Sequence, residues 1–117
     1  MKKSSITLRA YSGKPLAETT GYAYDIDGVT LVVHPAHIFS HRHQRGDGLR
    51  VNKPKGLWQV SEPESGATAT ATGDGITFKG RQEAIAAAQL RIEAHGGADT
   101  LRKAIALSLK RYAESLV

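Results

Sequence analysis

The first third of the chain alternates apolar with polar residues, which is the pattern of β-strands that bury one face. Ile6 and Leu8 flank a polar residue in the first such stretch, and a second stretch divides at Asp27-Gly28. That pair tolerates positive φ, which favours a tight hairpin turn between two strands. Residues 29–33 are apolar and rich in β-branched side chains, so they predict a central strand.

Two more strands are predicted in the middle of the chain, at about 57–62 and 67–72, with a turn from Pro63 to Gly66 between them. The second of these strands alternates Ala with Thr, so one of its faces has only small side chains. Small side chains let a helix approach closely, and the alanine-rich stretch EAIAAAQL is the predicted partner.

The last third has helical periodicity and predicts two helices, over about 80–95 and 99–116. Gly96 or Gly97 is expected to supply the left-handed residue that ends the first helix, and Asp99 or Thr100 the N-cap of the second. The second helix carries one apolar stripe, which predicts the face that packs on the protein: Leu101, Ile105, Leu109, Tyr112 and Leu116. Its opposite side is interpreted as a solvated face that can add to a basic surface, and it carries Arg102, Lys103, Lys110 and Arg111.

Strands followed by helices indicate an α+β fold, with an antiparallel sheet of about five strands and two C-terminal helices packed on one face. The 117 residues fit a single domain, with a β-rich part over 4–72 that includes a basic loop over 40–56. The absence of cysteine excludes disulfides, cysteine-ligated zinc and thiol catalysis. Because no apolar run has the length of a signal peptide core or a membrane span, we expect a cytoplasmic protein without a membrane partner.

Positive charge is concentrated in one segment, from His41 to Lys55. The formal net charge of the chain is +5, and this segment holds five basic residues against one aspartate. The five cations are predicted to follow the phosphates of a nucleic acid or of a nucleoprotein complex: Arg42, Arg45, Arg50, Lys53 and Lys55. Phe39 and Trp58 flank the segment, and we expect aromatic rings at such positions to stack on unpaired bases.

Four of the five histidines fall in the same part of the chain and raise a second hypothesis: His34, His37, His41 and His43. If Pro35 begins a short helix, His37 and His41 share one face; if the segment is extended, His41 and His43 share one. Either arrangement offers two or three imidazole ligands for zinc or a similar divalent ion. The alternative function is therefore a histidine-metal protein, including a metal-dependent hydrolase, whereas the preferred interpretation requires no cofactor and no catalysis.

A polar connection without a ligand is the third interpretation of this segment, and the sequence also leaves a homodimer open. A catalytic triad can be assembled on paper from Ser40, His37 and Asp25, but a chain with these residue counts permits such a choice by chance. The glycine-rich phosphate-binding motifs of nucleotide-binding proteins do not occur in the sequence.

Residues 58–85 contain the pattern Trp-x-Val-Ser-Glu, then Ser-Gly, then Gly-x-Thr, then Glu-Ala-Ile. The positions that carry it are Trp58, Val60, Ser61, Glu62, Ser65, Gly66, Gly75, Thr77, Glu83, Ala84 and Ile85. The stretch resembles a strand–turn–strand–helix pattern of small phage and plasmid domains, including those associated with large polyvalent proteins, although Phe78-Lys79-Gly80 here separates Thr77 from the helix. The resemblance implies a mobile element and a host-defence inhibitor that binds a nucleic-acid-handling machine, and it implies no catalytic site.

Overall fold

Six strands precede two helices in the computed structural model, which describes residues 1–9, 14–41, 49–66 and 76–115. The strands are β1 (Lys2–Arg9), β2 (Pro15–Ile26), β3 (Val29–Pro35), β4 (Ile38–His41), β5 (Leu49–Asn52) and β6 (Trp58–Ser61). The helices are α1 (Arg81–Ala94) and α2 (Ala98–Ser115). The predicted α+β fold, with two C-terminal helices on an antiparallel sheet, is confirmed. No helix in the described ranges is long and apolar enough to cross a membrane.

The main sheet has four antiparallel strands in the order β1-β2-β3-β6. The predicted hairpin at Asp27-Gly28 is confirmed, because both residues have positive φ, at 47° and 85°, and Ile26 pairs with Val29 across the turn. The hydroxyl of Thr30 donates to a carboxylate oxygen of Asp25 at 2.8 Å and ties the two strands together near the same turn.

A separate two-stranded antiparallel ribbon is formed by β4 and β5. These strands occupy the two ends of the segment that was predicted to be a loop over 40–56. The sequence of β5 alternates the apolar residues Leu49 and Val51 with polar ones, which is a strand pattern. The many charged residues around this stretch predict a loop instead, which is why the strand is not predicted. Residues 42–48, between the two strands, lie outside the described residues.

Helix α1 covers one face of the main sheet through small and aliphatic side chains. Ala84, Ala88 and Ile92 are buried in a cluster that also contains Val33 of β3 and Val60 of β6. Alanine side chains let the helix axis approach the sheet closely, as the sequence predicts. The strand at 67–72, which was the predicted partner of this helix, lies outside the described residues. Among the described strands, α1 contacts β3 and β6.

The opposite face of the sheet buries Ile6, Leu8 and Val32 in a second cluster. The backbone N–H of Arg9, at the end of β1, donates to the carbonyl of Gly66 at 2.9 Å. The turn after β6 is therefore bonded to the end of β1.

The turn after β6 is built around a buried carboxylate. The two carboxylate oxygens of Glu62 accept hydrogen bonds from the backbone N–H groups of Glu64 and Ser65, each at 2.7 Å. Gly66 closes the turn with φ 67°, in the left-handed region that favours glycine. The predicted turn from Pro63 to Gly66 is confirmed, and Glu62 has a structural role in it.

Helix α2 begins at Ala98, one residue before the predicted cap at Asp99 or Thr100. The reason is that the carbonyl of Gly97 accepts the N–H of Leu101 at 3.2 Å, which makes Gly97 the residue at the N-cap position. Gly96 and Gly97 both have positive φ, as expected of residues that end α1.

The apolar stripe of α2 is only partly covered in the described structure. Leu101 is buried, whereas Ile105, Leu109 and Tyr112 keep intermediate exposure, and Leu116 lies outside the described residues. Arginine side chains add to the contact between α2 and the sheet. The guanidinium of Arg102 donates to the carbonyl of Asp27 and pairs with Asp99 at 2.9 Å, and that of Arg9 lies 4.3 Å from the ring centroid of Tyr112. Arg102 is exposed, as predicted, and it also contacts the β2–β3 hairpin.

We predict that Gly21→Ala lowers the free energy of unfolding by about 2 kcal/mol or more, as measured by urea denaturation. A Cβ at Gly21 would overlap the carbonyl oxygen of Val33 and lie 2.9 Å from the Cβ of His34. Gly80→Ser is the contrasting variant, because Gly80 is the N-cap of α1, has no side-chain cap and faces open space. It should raise the free energy of unfolding by about 0.3 kcal/mol. Equal effects of the two substitutions would contradict this packing.

Candidate functional site

The structure describes only some of the residues that the sequence predicts to form a site. Arg42, Arg45 and His43 lie outside the described residues, and so do the side chains of Arg50 and His41, whose backbones belong to β5 and β4. The other predicted cations, Lys53 and Lys55, are exposed between β5 and β6, and Trp58 is half-buried at the start of β6.

Trp58 brings a later segment of the chain against the sheet. Its backbone exchanges two hydrogen bonds with Phe78, of 2.7 and 3.0 Å, on the side of β6 away from β3. On the β3 side it stands opposite Pro35, in a pair whose backbone groups do not bond to each other. Because α1 begins three residues after Phe78, this pairing brings the start of the helix next to the indole ring.

Arg81, the first residue of α1, joins two aromatic rings of the sheet. Its guanidinium carbon lies 4.7 Å from the ring centroid of Tyr22 and 5.7 Å from that of Trp58. Both distances are in the range of cation–π attraction. Tyr22 stands opposite Val33, which stands opposite Val60, two residues beyond Trp58. The strand register therefore puts both rings on the helix-facing side of the sheet.

Four lysines are neighbours of the aromatic residues, one across a strand pair and three in the sequence. Lys3 is the cross-strand partner of Tyr22, Lys79 follows Phe78, and Lys53 and Lys55 precede Trp58; all four are exposed. We name the following set the aromatic–basic corner: Lys3, Tyr22, Lys53, Lys55, Trp58, Phe78, Lys79 and Arg81. The described segments 51–61 and 76–82 that form most of it contain no acidic residue. The acids that follow them are Glu62, buried in its turn, and Glu83, exposed in the first turn of α1.

Two of the predicted metal ligands lie in a buried hydrogen-bond network instead of on an exposed loop. His34 is fully buried, with Nε2 2.7 Å from the hydroxyl of Ser61 and Nδ1 2.7 Å from the carbonyl oxygen of Pro35. His37 is also buried, and its Nδ1 lies 2.9 Å from the same carbonyl oxygen. The side-chain oxygen of Gln59 accepts the backbone N–H of His37 at 2.9 Å.

The protonation of these rings follows from their partners. A carbonyl oxygen can only accept, so Nδ1 of His34 and Nδ1 of His37 each carry a proton and donate to Pro35. Burial lowers the pKa of His34 to about 4, which keeps this imidazole neutral near pH 7. Its Nε2 is then an acceptor, and the hydroxyl of Ser61 donates to it.

This network limits the chemistry available to His34. Both ring nitrogens are hydrogen-bonded to protein atoms, so a metal ion at His34 would have to replace Ser61 or Pro35. Across the described ranges, no group of three His, Cys, Asp or Glu side chains is arranged to hold a metal ion. Because His43 and the side chain of His41 lie outside those ranges, the four-histidine metal site stays a prediction.

The contact between Ser61 and His34 has the form of a nucleophile beside a base, but both side chains are fully buried. In this conformation the pair cannot reach a substrate, and it acts as a cross-strand link between β3 and β6. The triad assembled on paper is not brought together either. Asp25 accepts from Thr30 near the hairpin, whereas His37 lies beyond the other end of β3.

The sequence did not point to Tyr22, Phe78 or Arg81 as parts of a site. These residues are far apart in the chain, and only the strand register and the pairing of Trp58 with Phe78 bring them together. The sequence does contain one indication of this site, the two-residue period of β2 and β6. Together with the pairing of both strands to β3, that period puts Tyr22 and Trp58 on the same face of the sheet.

Comparison with known proteins found no match to this chain among family models, curated proteins or solved structures. The functional interpretation therefore depends on the geometry and charge of the chain's own residues.

We predict that protonation of His34 destabilises the protein as the pH falls from about 6.5 to 4. The unfolded imidazole binds its proton near pH 6.5 and the folded one near 4, so the stabilisation is present above this window and is lost through it. The full effect is roughly 3 kcal/mol. Denaturation at several pH values should give a shallower pH slope for His34→Gln than for the wild type. A wild-type slope in His34→Gln would refute the assignment.

Proposed function

We propose that this protein is a non-catalytic binding module that contacts nucleic acid through the aromatic–basic corner and the basic segment that precedes it. The observation that supports the proposal is the charge of the corner. It combines half-buried aromatic residues with five exposed cations: Lys3, Lys53, Lys55, Lys79 and Arg81. Of the acids that follow its segments, Glu62 is buried and directs its oxygens to backbone N–H groups, whereas Glu64 and Glu83 are exposed.

Phosphate groups are the ligands that such a surface attracts. Each lysine or arginine that contacts a phosphate releases condensed counterions, so affinity falls steeply as salt rises. The segment from His41 to Lys55 adds Arg42, Arg45 and Arg50 in sequence to the two lysines of the corner. The segment up to the start of β6 therefore has an excess of positive charge, with five cations against Asp47, which suits a polymer of negative charges.

The buried histidine network favours binding over catalysis. The hydroxyl and imidazole that come together, those of Ser61 and His34, are fully buried and hydrogen-bonded within the protein. A catalytic pair has to reach a substrate, so we do not assign this pair a reaction. Electrostatic binding needs only exposed charge, which the corner has.

We predict that neutralising three lysines of the corner, by Lys53→Gln, Lys55→Gln and Lys79→Gln together, weakens binding of a labelled oligonucleotide about tenfold or more at low salt. The slope of log affinity against log salt should become shallower by about 2, since three phosphate contacts are lost. Fluorescence anisotropy titrations between about 50 and 200 mM salt measure both quantities. The melting temperature should hardly change, because the three side chains are exposed.

The matched control neutralises the same amount of charge elsewhere, through Lys14→Gln, Lys103→Gln and Lys110→Gln, all exposed. Lys103 adjoins Arg102, which contacts the hairpin at the end of β3 opposite to Trp58. This control should keep the wild-type slope. Equal losses in both triple variants would show that net charge alone governs binding, against an interface at the corner. If the wild type binds no nucleic acid, the proposal is wrong, and a nucleic-acid-handling protein becomes the partner class to test.

A further inference from the structure

We infer that the aromatic–basic corner binds single-stranded nucleic acid, with an unpaired base stacked on the guanidinium of Arg81 above the rings of Tyr22 and Trp58. This inference rests on the proposed function and specifies its ligand.

Arg81 presents a flat, charged group at the surface. One side of its guanidinium lies over Tyr22, at 4.7 Å, and it also approaches Trp58, at 5.7 Å. Arg81 is an exposed residue, so part of its side chain stays open to solvent. A planar guanidinium stacks on bases as well as on aromatic rings, so a base on its outer side would complete a stack of ring, guanidinium and base.

The supports of Arg81 are part of the folded core. Tyr22 and Trp58 belong to β2 and β6 and pack against the cluster beneath α1, as does Phe78. Arg81 itself is fixed at the first position of α1, next to the two backbone hydrogen bonds between Trp58 and Phe78. A surface that is ordered before binding loses little conformational entropy when a ligand arrives, which favours affinity.

An unpaired base fits this surface better than a base pair does. In a duplex, each base is stacked on both faces by its neighbours and offers only its edges in the grooves. An unpaired base has free faces, and stacking on protein rings tolerates any base. The four lysines of the corner can contact the phosphates on either side of a stacked base: Lys3, Lys53, Lys55 and Lys79.

The contacts of Arg81 also fasten α1 to the sheet, and this structural role has to be separated from binding. If Arg81 had only a structural role, its substitution would lower the melting temperature. It would not change the ratio of the affinities for an oligonucleotide with bases and for one without them. Arg81→Lys keeps the positive charge and loses the planar group. Tyr22→Leu keeps an apolar side chain and loses the ring that supports the guanidinium.

The experiment compares three probes of equal length, of about 20 nucleotides, which is enough to span one binding site. They are an oligothymidine, an abasic oligomer with the same phosphates and no bases, and a duplex. Wild-type protein should bind oligothymidine about tenfold more tightly than the abasic oligomer, and more tightly than the duplex. The chain has a single tryptophan, Trp58, so its fluorescence should respond to oligothymidine and much less to the abasic oligomer.

In Arg81→Lys and in Tyr22→Leu, the preference for oligothymidine over the abasic oligomer should fall to about twofold or less. Affinity for the abasic oligomer should stay within about twofold of the wild type, because the phosphate contacts remain. Arg91→Lys is the matched control, an exposed arginine near the opposite end of α1, and it should keep the wild-type preference. Melting curves of all variants verify that they are folded.

Three results would overturn the inference, and they are distinguishable from failure of the proposed function. Equal wild-type affinity for oligothymidine and the abasic oligomer would exclude base stacking while leaving nucleic-acid binding intact. A preference that persists in folded Arg81→Lys would exclude the guanidinium as the stacking surface. Equal or tighter binding of the duplex would exclude selectivity for single strands. Absence of binding to all three probes would overturn the proposed function as well.

Discussion

The burial of β3 on both faces is the constraint on which the rest of the structure depends. Leu31 and Val33 face the helices, while Val32 and His34 face the opposite cluster, and all four are fully excluded from solvent. A polar ring in such a strand is stable only if both nitrogens have partners, because an unpaired buried polar atom costs about 1 to 3 kcal/mol. Ser61 on β6 and the carbonyl of Pro35 meet that requirement. The hydrogen-bonded histidine thereby favours the register in which β6 lies against β3.

That register determines what appears at the surface. With β6 aligned on β3, Trp58 falls opposite Pro35 in a pair whose backbone groups point away from each other, so the N–H and C=O of Trp58 are directed to Phe78. The pairing brings α1 and Arg81 over the rings of β6 and β2. The interior of the sheet and the exposed aromatic–basic corner are thus consequences of the same strand alignment. A binding surface supported in this way is already ordered before the ligand binds.

The sequence predicts local features of this fold better than features that need tertiary contacts. The Asp27-Gly28 turn and the two helices depend on neighbouring residues, and they are confirmed. The density of charge over 40–56 predicts a loop, but β4 and β5 take up parts of this segment. The burial of His34 depends on a serine 27 residues later, which the neighbouring sequence does not indicate. Arg102 is exposed, as predicted, but helical periodicity does not indicate that it contacts a hairpin carbonyl. The corner itself requires the strand register, which no single stretch of sequence contains.

Mapping of the ligand on the protein surface by NMR tests the central claim most directly, which is that the corner is the nucleic-acid contact. In a titration of labelled protein with single-stranded oligonucleotide, the account predicts the largest shifts at the indole N–H of Trp58, the guanidinium of Arg81 and the ring of Tyr22. Signals of Gly28 and the adjoining part of α2, at the other end of β3, should stay nearly unchanged. The largest shifts at that end of the molecule, with Trp58 and Arg81 unaffected, would contradict the account.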